Sequence, residues 1–516
     1  MTQATAGAAP TVVDDPRQRI LILAATCSAL VAVVASVSGL NVALQALSAD
    51  LTASQGELLW VVNGYTLVLA ALLMPVGAIG DRIGRKIVLM AGLVVFAVAN
   101  GASALAPNVE SLIALRIVAG IGAAMVMPVT LSIITTSFPP AERARAIGIW
   151  AGFAGTGGML GLFASAAIID NATWPWVFTV PLGLALASLG LTLPNVPRSR
   201  ESQQARFDWS GSILSVVAVG GVVLGIQEGP ERGWTNVLTL TALAMGVAAT
   251  IAFVVVELRR EHPLLDVRLF KNRALAAGSI NLFATFAVMF ALFLVLIQLL
   301  QAGFGYTALT AAVALLPMAL VMMPLSVVAP PIAARLGYER TLVTGMLLLA
   351  TGLTLIAFLA NTDDGYLSVL PGLLVLGTGV GLTMSPSTTA ITSSLPADKQ
   401  GVASALNDTV RELGGAVGIA LIGAILNAQY RSNISDTAVT LPPELATRVQ
   451  EGIGGALAAA AQLGPDGDEL AQAAQQAFVD GFKPALLAAA AIAVTAAIYT
   501  AAPRRRRDDA RAPRRT

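Results

Sequence analysis

Long apolar blocks alternate with short polar, charge-bearing connections along the whole chain. Fourteen blocks reach the roughly 20 residues that a helix needs to cross the ~30 Å hydrocarbon core of a bilayer. They are 20–46, 58–80, 87–106, 111–136, 146–169, 175–193, 209–228, 235–256, 274–301, 308–332, 341–360, 366–389, 401–427 and 482–502. Lipid offers backbone groups no hydrogen-bond partner, so each block is predicted to be a helix. The longest connection, 428–481, is rich in Ala and Gln and broken at Pro442-Pro443 and at Gly464-Pro465-Asp466-Gly467. One or two short surface helices are expected there.

Composition turns this pattern into a class. Of 516 residues, 56% are hydrophobic and 12% charged, with a mean hydropathy of +0.76. Soluble domains carry roughly a quarter charged residues, so the chain reads as an all-α, polytopic membrane protein. A net charge of +1 gives no field for nucleic acid. The single cysteine, Cys27, excludes an intramolecular disulfide, and the single histidine, His262, argues against a histidine-based metal site. His262 is expected to be solvated and Cys27 to pack. The chain has no P-loop, HExxH or GxSxG, which argues against an enzyme or an ATP-driven pump. No cleavable signal peptide is expected, because the first apolar block is too long and lacks an A-x-A-like site.

Charge then orients the helices. With the N-terminus inside, only Arg232, Arg431, Arg448 and Lys483 fall in outer connections, and only Arg116 and Arg411 lie within blocks. Every other basic residue falls on the inner side, which predicts a multi-pass protein of the cytoplasmic membrane with both termini cytoplasmic. The basic tail, with Arg504–Arg507, Arg511, Arg514 and Arg515, is expected to contact headgroups.

The chain also echoes itself. Asp81-Arg82-Ile83-Gly84 and Ala334-Arg335-Leu336-Gly337 lie 253 positions apart, each followed eight residues later by a glycine. Pro140-Ala141-Glu142-Arg143 and Pro396-Ala397-Asp398-Lys399 lie 256 apart. A duplicated six-helix half follows, with helices 7 and 8 inserted. The expected organisation is a tail (1–19), a first half (20–193), a linker with the extra pair (194–273), a second half (274–502) that holds the outer loop, and a basic tail (503–516). Such duplicated bundles are common in transporters, with the substrate site between the halves.

Two clusters carry candidate chemistry. The first is Gly77-Ala78-Ile79-Gly80-Asp81-Arg82-Ile83-Gly84-Arg85-Lys86 at the inner join of helices 2 and 3. Gly77 and Gly84 permit close backbone approach. Asp81 can accept from a neighbouring helix N-terminus or pair with an arginine. With Arg82, Arg85 and Lys86, this run is expected to act as a conformational latch. The second is Asp408, Arg411 and Glu412, roughly 10–18 Å into helix 13 at 1.5 Å per residue. Deep ionisable groups in a bilayer are costly and functional by default. Asp408 stands i,i+3 to Arg411 and i,i+4 to Glu412, so one carboxylate lacks an obvious partner. Either the cluster carries protons, or Asp408 pairs with Arg411 and another helix satisfies Glu412.

At these motifs the chain resembles the major facilitator superfamily, and its fourteen helices resemble the drug:proton antiporter branch. Arg116-Ile117-Val118-Ala119-Gly120-Ile121-Gly122-Ala123-Ala124, Trp174-Pro175-Trp176-Val177-Phe178 and the run Gly401–Gly415 are similar to motifs of that branch. Three departures stand out. Ser36 replaces the usual helix-1 Asp before Asn41-Val42-Ala43-Leu44. Helix 5 reads Gly161-Leu162-Phe163-Ala164-Ser165-Ala166, without the usual Pro and paired Gly. Pro175 replaces the usual Arg.

The resemblance implies a bundle of two six-helix halves plus two central helices. It implies a secondary transporter that works without a cofactor, uses the proton gradient, and exports amphipathic drugs or metabolites. Arg116 is implied in coupling, with a distant carboxylate or backbone carbonyls as partner. Asn41, Trp60, Asn63, Tyr65, Gln298, Gln301 and Asn407 are candidates to line the substrate cavity. The expected partners are a small amphipathic molecule and the lipid bilayer, with no nucleic acid, and the protein is expected to be a monomer. A proton- or ion-coupled importer, a facilitator and a non-transporting sensor or scaffold remain alternatives.

Overall fold

The structure is a computed structural model that describes residues 12–198, 207–361, 365–439 and 441–502. The basic tail lies outside these residues. Fourteen helical spans among the described residues are long and apolar enough to cross a membrane, and no strand occurs among them.

The helices are α1 (Pro16–Leu51), α2 (Gln55–Ile83), α3 (Arg85–Ser103), α4 (Val109–Ser137), α5 (Pro140–Ile169), α6 (Thr179–Asn195), α7 (Trp209–Arg232), α8 (Val237–Glu257), α9 (Arg273–Gln298), α10 (Ala308–Ala314), α11 (Leu316–Leu336), α12 (Tyr338–Leu359), α13 (Tyr366–Ser393), α14 (Gln400–Val439), α15 (Pro443–Glu451), α16 (Ile453–Leu463) and α17 (Asp468–Ala501). The tenth span is built from α10 and α11, broken at Leu315, two residues before Pro317. One face of the bundle, here the basic face, gathers the starts of α1, α9 and α14 and the ends of α2, α6 and α17. Gln18 Nε2 donates to the Asn195 carbonyl at 2.7 Å, and Arg273 bonds the carbonyl of Ala502. The opposite face is the far face.

Helices α1 to α6 pack on one another, as do α9 and α11 to α14 with α17. The two groups meet where α2 and α4 touch α14 and where α5 touches α11 and α13. The inserted α7 lies on α2 and α14, with α8 on its outer side. Gly221 of α7 and Gly246 of α8 bring those two backbones together, since a Cβ on Gly221 would lie 2.8 Å from Gly246 Cα.

Helix 5 lacks the expected Pro and glycine pair, yet it still packs tightly. Gly157, Gly161 and Ser165 form a small-residue stripe at i,i+4 steps against α1. A Cβ on Gly161 would lie 2.5 Å from Ala35 Cα. Without water to drive association, close van der Waals approach through small residues holds such helices together.

Two helix lengths differ from expectation. The thirteenth span continues to Val439 rather than ending near 427, and the fourteenth begins at Asp468 rather than 482. The physical reason is that nothing breaks the helix at the membrane edge. No Pro or Gly interrupts 428–439, and Ala- and Gln-rich sequence carries the fourteenth span from Asp468 onward. At 1.5 Å per residue α14 is ~60 Å long, about twice the hydrocarbon core. The short α15 and α16 close a cap between these extensions. There the Tyr430 hydroxyl donates to the Val449 carbonyl at 3.0 Å, and Asn433 Nδ2 to the Ala477 carbonyl at 3.2 Å.

Candidate functional site

The seam between α2 and α14 is built from backbone upward. A Cβ on Gly77 would lie 2.5 Å from the Gly401 carbonyl oxygen, so only hydrogen fits there. This approach brings the end of α2 to the start of α14. The first N–H groups of a helix lack partners and carry the positive end of its dipole. Asp81 supplies the anion. Both of its carboxylate oxygens accept from the Gly401 N–H at 2.8 Å, and Oδ2 accepts from the Val402 N–H at 3.2 Å. Oδ1 also accepts from Arg85 Nε at 3.0 Å and Nη2 at 2.7 Å. The spacing left two partners open for Asp81, a helix end or an arginine, and it takes both. Gly84 makes the turn between α2 and α3 at φ +124°, where a side chain would be strained. Asp81 and Arg85 are buried.

Two of the six latch candidates lie apart from the seam. Arg82 is exposed, and Lys86 Nζ donates instead to the Leu193 carbonyl at the end of α6, 2.8 Å away. Both follow from helix geometry, because residues one apart do not share a face.

Deeper in the bundle lies a polar core. Asp408 Oδ1 accepts from Arg411 Nη1 at 3.2 Å and from Asn407 Nδ2 at 3.2 Å. Asp408 is fully buried and the Arg411 side chain nearly so. The Arg411 guanidinium lies 4.5 Å from the ring centre of Phe286 on α9 and 5.4 Å from that of Trp150 on α5. Aromatic faces attract a desolvated cation. Trp150 Nε1 in turn donates to Thr130 Oγ1 at 3.2 Å. Asp408 Oδ2, Arg411 Nε and Asn407 Oδ1 are buried without a partner among the described residues.

Glu412 differs. It sits one turn further along α14, half-buried, with no hydrogen bond or ion pair of its own among the described residues. Arg411 is turned to Asp408 instead. Glu412 lies within electrostatic range of Tyr65 on α2. The Arg116 guanidinium stands 4.3 Å from the centre of that same Tyr65 ring. Tyr65 thus stands between the cation of the first half and the unpaired carboxyl of the second.

Arg116 has no carboxylate partner among the described residues. Nη1 donates to Ser36 Oγ at 2.8 Å, Nη2 to the Ser36 carbonyl at 3.2 Å, and Nε to the Val61 carbonyl at 3.2 Å. Ser36 therefore does not leave Arg116 without a local partner. Its hydroxyl and carbonyl occupy the place of the carboxylate, and the Ser36 hydroxyl donates a hydrogen bond to Asn100 Oδ1 at 3.2 Å.

Of the cavity candidates, Tyr65 and Asn407 join this core, while Trp60, Asn63 and Gln298 are half-buried. Asn41 and Gln301 are exposed. Gln301 lies in a single π turn, Leu299–Gly303, which disrupts its α-helical i,i+3 spacing with Gln298. Trp150, Phe286, Thr130 and Asn100 escaped the sequence reading. An Asn or Trp inside an apolar block is the one signal that points to them.

Two helical groups meet around buried charges, with a glycine-lined seam on one face. That is the architecture of a secondary transporter. The Major Facilitator Superfamily model matches residues 26–419, and the chain belongs to that family. The multidrug efflux pump LfrA of Mycolicibacterium smegmatis is 34% identical over 88% of this chain and 90% of its own. The tetracenomycin C resistance and export protein of Streptomyces glaucescens is 30% identical over 92% and 89%. The solved proton:xylose symporter XylE, 14% identical, shares the fold with a TM-score of 0.59 over 94% of this chain and 95% of its own. The chain is a multi-pass membrane transporter of small molecules.

Proposed function

We propose that the protein exports amphipathic organic compounds across the cytoplasmic membrane in exchange for protons, as a monomer with its basic face and both termini in the cytoplasm. Two relatives named for drug efflux and for antibiotic export support the direction and the substrate class. The bias of basic residues supports the orientation.

The observation that carries the coupling is Glu412. It is a carboxyl deep in α14 with no hydrogen bond or ion pair of its own among the described residues, within electrostatic range of an Arg411 whose one carboxylate bond goes to Asp408. A group of this kind gains or loses a proton at the least cost in the core, because neither form strands a neighbour. Rocking of the halves would expose it to each side in turn. A bound cation or dipole would favour its deprotonated form, which gives exchange. Arg116 and Tyr65 would sense that charge from the first half. Asp81 would hold the basic face shut while the far face loads protons.

The test is transport in proteoliposomes with an imposed pH gradient. Glu412→Gln is expected to abolish gradient-driven transport while exchange of labelled for unlabelled substrate survives. Asp408→Asn is expected to lose stability instead, by about 3 kcal/mol, because it strands Arg411. Normal gradient-driven transport in a folded Glu412→Gln protein would remove Glu412 from coupling.

A further inference from the structure

The inserted helices carry a second acidic site, outside the transport path. Asp208 caps the start of α7, where its Oδ1 accepts from the Gly211 N–H at 2.9 Å and from Ser210 Oγ at 2.8 Å. Glu257 ends α8, and its Oε2 accepts from the Leu265 N–H at 3.0 Å. The other oxygen of each carboxyl, Asp208 Oδ2 and Glu257 Oε1, is buried and lacks a donor among the described residues. Both of these oxygens lie over Cα of Gly211, where a Cβ would collide with them. The two carboxyls are within hydrogen-bond reach of each other. One turn on, and on the same face of α7, the Ser212 hydroxyl is also buried and unpartnered among the described residues.

Two buried carboxyls cannot face each other while both are ionised. Arg260 acts on Asp208 through its charge, but among the described residues no cation bonds either orphaned oxygen. Arg260 Nη2 is held on Ser210 Oγ at 2.6 Å, and Arg268 Nη2 on the Leu258 carbonyl at 2.6 Å. On and next to the helices that pack against α7, Arg82 of α2 is exposed, Arg85 at the start of α3 is paired with Asp81, and Lys399 just before α14 donates from Nζ to the Pro263 carbonyl at 3.0 Å. Glu228 and Arg232 pair with each other at the opposite end of α7. A proton between Asp208 Oδ2 and Glu257 Oε1 satisfies both orphaned oxygens at once.

The pair also grips a strap. Leu264 and Leu265 are buried in the core, Glu257 holds the Leu265 N–H, and Pro263 receives Lys399. Lys399 lies two residues before Gly401, the residue that Asp81 caps. We propose that Asp208 and Glu257 form a proton-binding site in which one shared proton pins the segment 263–265 to the start of α14, so that alkalinity at the basic face loosens the α2–α14 seam.

Asp208 lies just outside the membrane span. Burial pushes its carboxyl up, yet hydrogen bonds from Gly211, Ser210 and Glu257, with the nearby Arg260 charge, outweigh this and hold it below its ordinary range. Asp208 is therefore the anion of the pair and Glu257 the donor. The sign follows. Asp208's own contribution is complete above its ordinary range and is lost as pH falls below it. The shared proton is lost in alkali, so the strap is tightest between these limits.

The test is amide hydrogen exchange of residues 258–272 in the full chain in lipid nanodiscs, corrected for the chemical rate. Between pH 6 and pH 9, about tenfold faster exchange of this segment is expected. Asp208→Asn and Glu257→Gln should each stay protected at both pH values, because a carboxamide N–H replaces the shared proton. Proton-gradient-driven transport should persist in both variants, so failure here leaves the Glu412 reading untouched. A wild-type segment indifferent to pH overturns the proposal, even if neither variant folds. So does a variant that keeps the wild-type pH response. Protection at pH 9 by added sodium or magnesium in the wild type alone would instead mark a cation site and also overturn it.

Discussion

The basic face is closed by two seams between the two helical groups, α2 with α14 and α5 with α11, and they are built differently. At the α2–α14 seam, Gly77 and Gly401 bring the backbones together, and the buried Asp81 and Arg85 bind across the gap. At the α5–α11 seam, Gly148 gives the same closeness, since a Cβ there would lie 2.5 Å from the Ser326 carbonyl. Gly152 approaches Met323 in the same way, with a Cβ 3.2 Å from its Cγ. No carboxylate follows, however. Ala334 stands 253 positions after Asp81, and it is exposed, as are Arg335 to Arg340. The start of α5 has no side-chain cap, and its Glu142 turns to Arg19 at 3.3 Å. Close packing is therefore common to both seams, and a buried charge belongs to one. Packing alone makes a contact that slides at little cost. A desolvated carboxylate on a helix end makes one that is either fully formed or lost.

The largest expected effects come from filling either seam. Gly77→Leu and Gly148→Leu should each lower transport more than ~100-fold, since the first added carbon already meets backbone at 2.5 Å and overpacking against backbone exceeds the usual ~1–3 kcal/mol. The measurement is proton-driven flux in proteoliposomes, beside expression level. A harmless Gly148→Leu would break the equivalence of the two seams.

Next comes the charge. Asp81→Asn leaves Arg85 buried without its partner, and should disfavour the closed basic face by about 3 kcal/mol. A cysteine placed at that face should then label faster, and transport should slow while the fold survives. Should both Asp81→Asn and Arg85→Ala transport at the wild-type rate, the seam is not a latch.

Ala334→Asp sharpens the contrast from the other side. Its side chain is exposed, so stability should change by less than about 0.5 kcal/mol and flux hardly at all. A rise in closure would show that the second seam can take the same lock. The smallest effect belongs to Arg19 and Glu142. Screening by ~1 M salt should cost the α5 side at most about 0.5 kcal/mol, readable as a small shift in thermal stability.

How much of this was legible depended on sequence distance. Apolar blocks and their charged connections report helices because both are local properties of the chain. The i,i+3 spacing alone pairs Asp408 with Arg411, and the glycine run marks a close approach near Asp81. What joins distant blocks was hidden. Ser36 reads as a lost carboxylate until Arg116, 80 residues on, is seen to hold its hydroxyl. The aromatic seat of Arg411 comes from α5 and α9. Lys86 looks like part of the latch until the end of α6 captures it. The continuation of α14 past the membrane edge was missed for another reason. Hydropathy measures affinity for lipid, whereas the helix runs on to Val439, shortly before Pro442-Pro443.

That continuation turns α14 into a lever arm. Its start is fixed at the seam by Asp81, and its far end carries the cap some 60 Å away. If the halves rock by about 10°, a rigid rod of that length sweeps its tip through ~10 Å, several times the displacement at the buried carboxyls. A probe on the cap would read the transport cycle from outside the membrane, amplified by length alone.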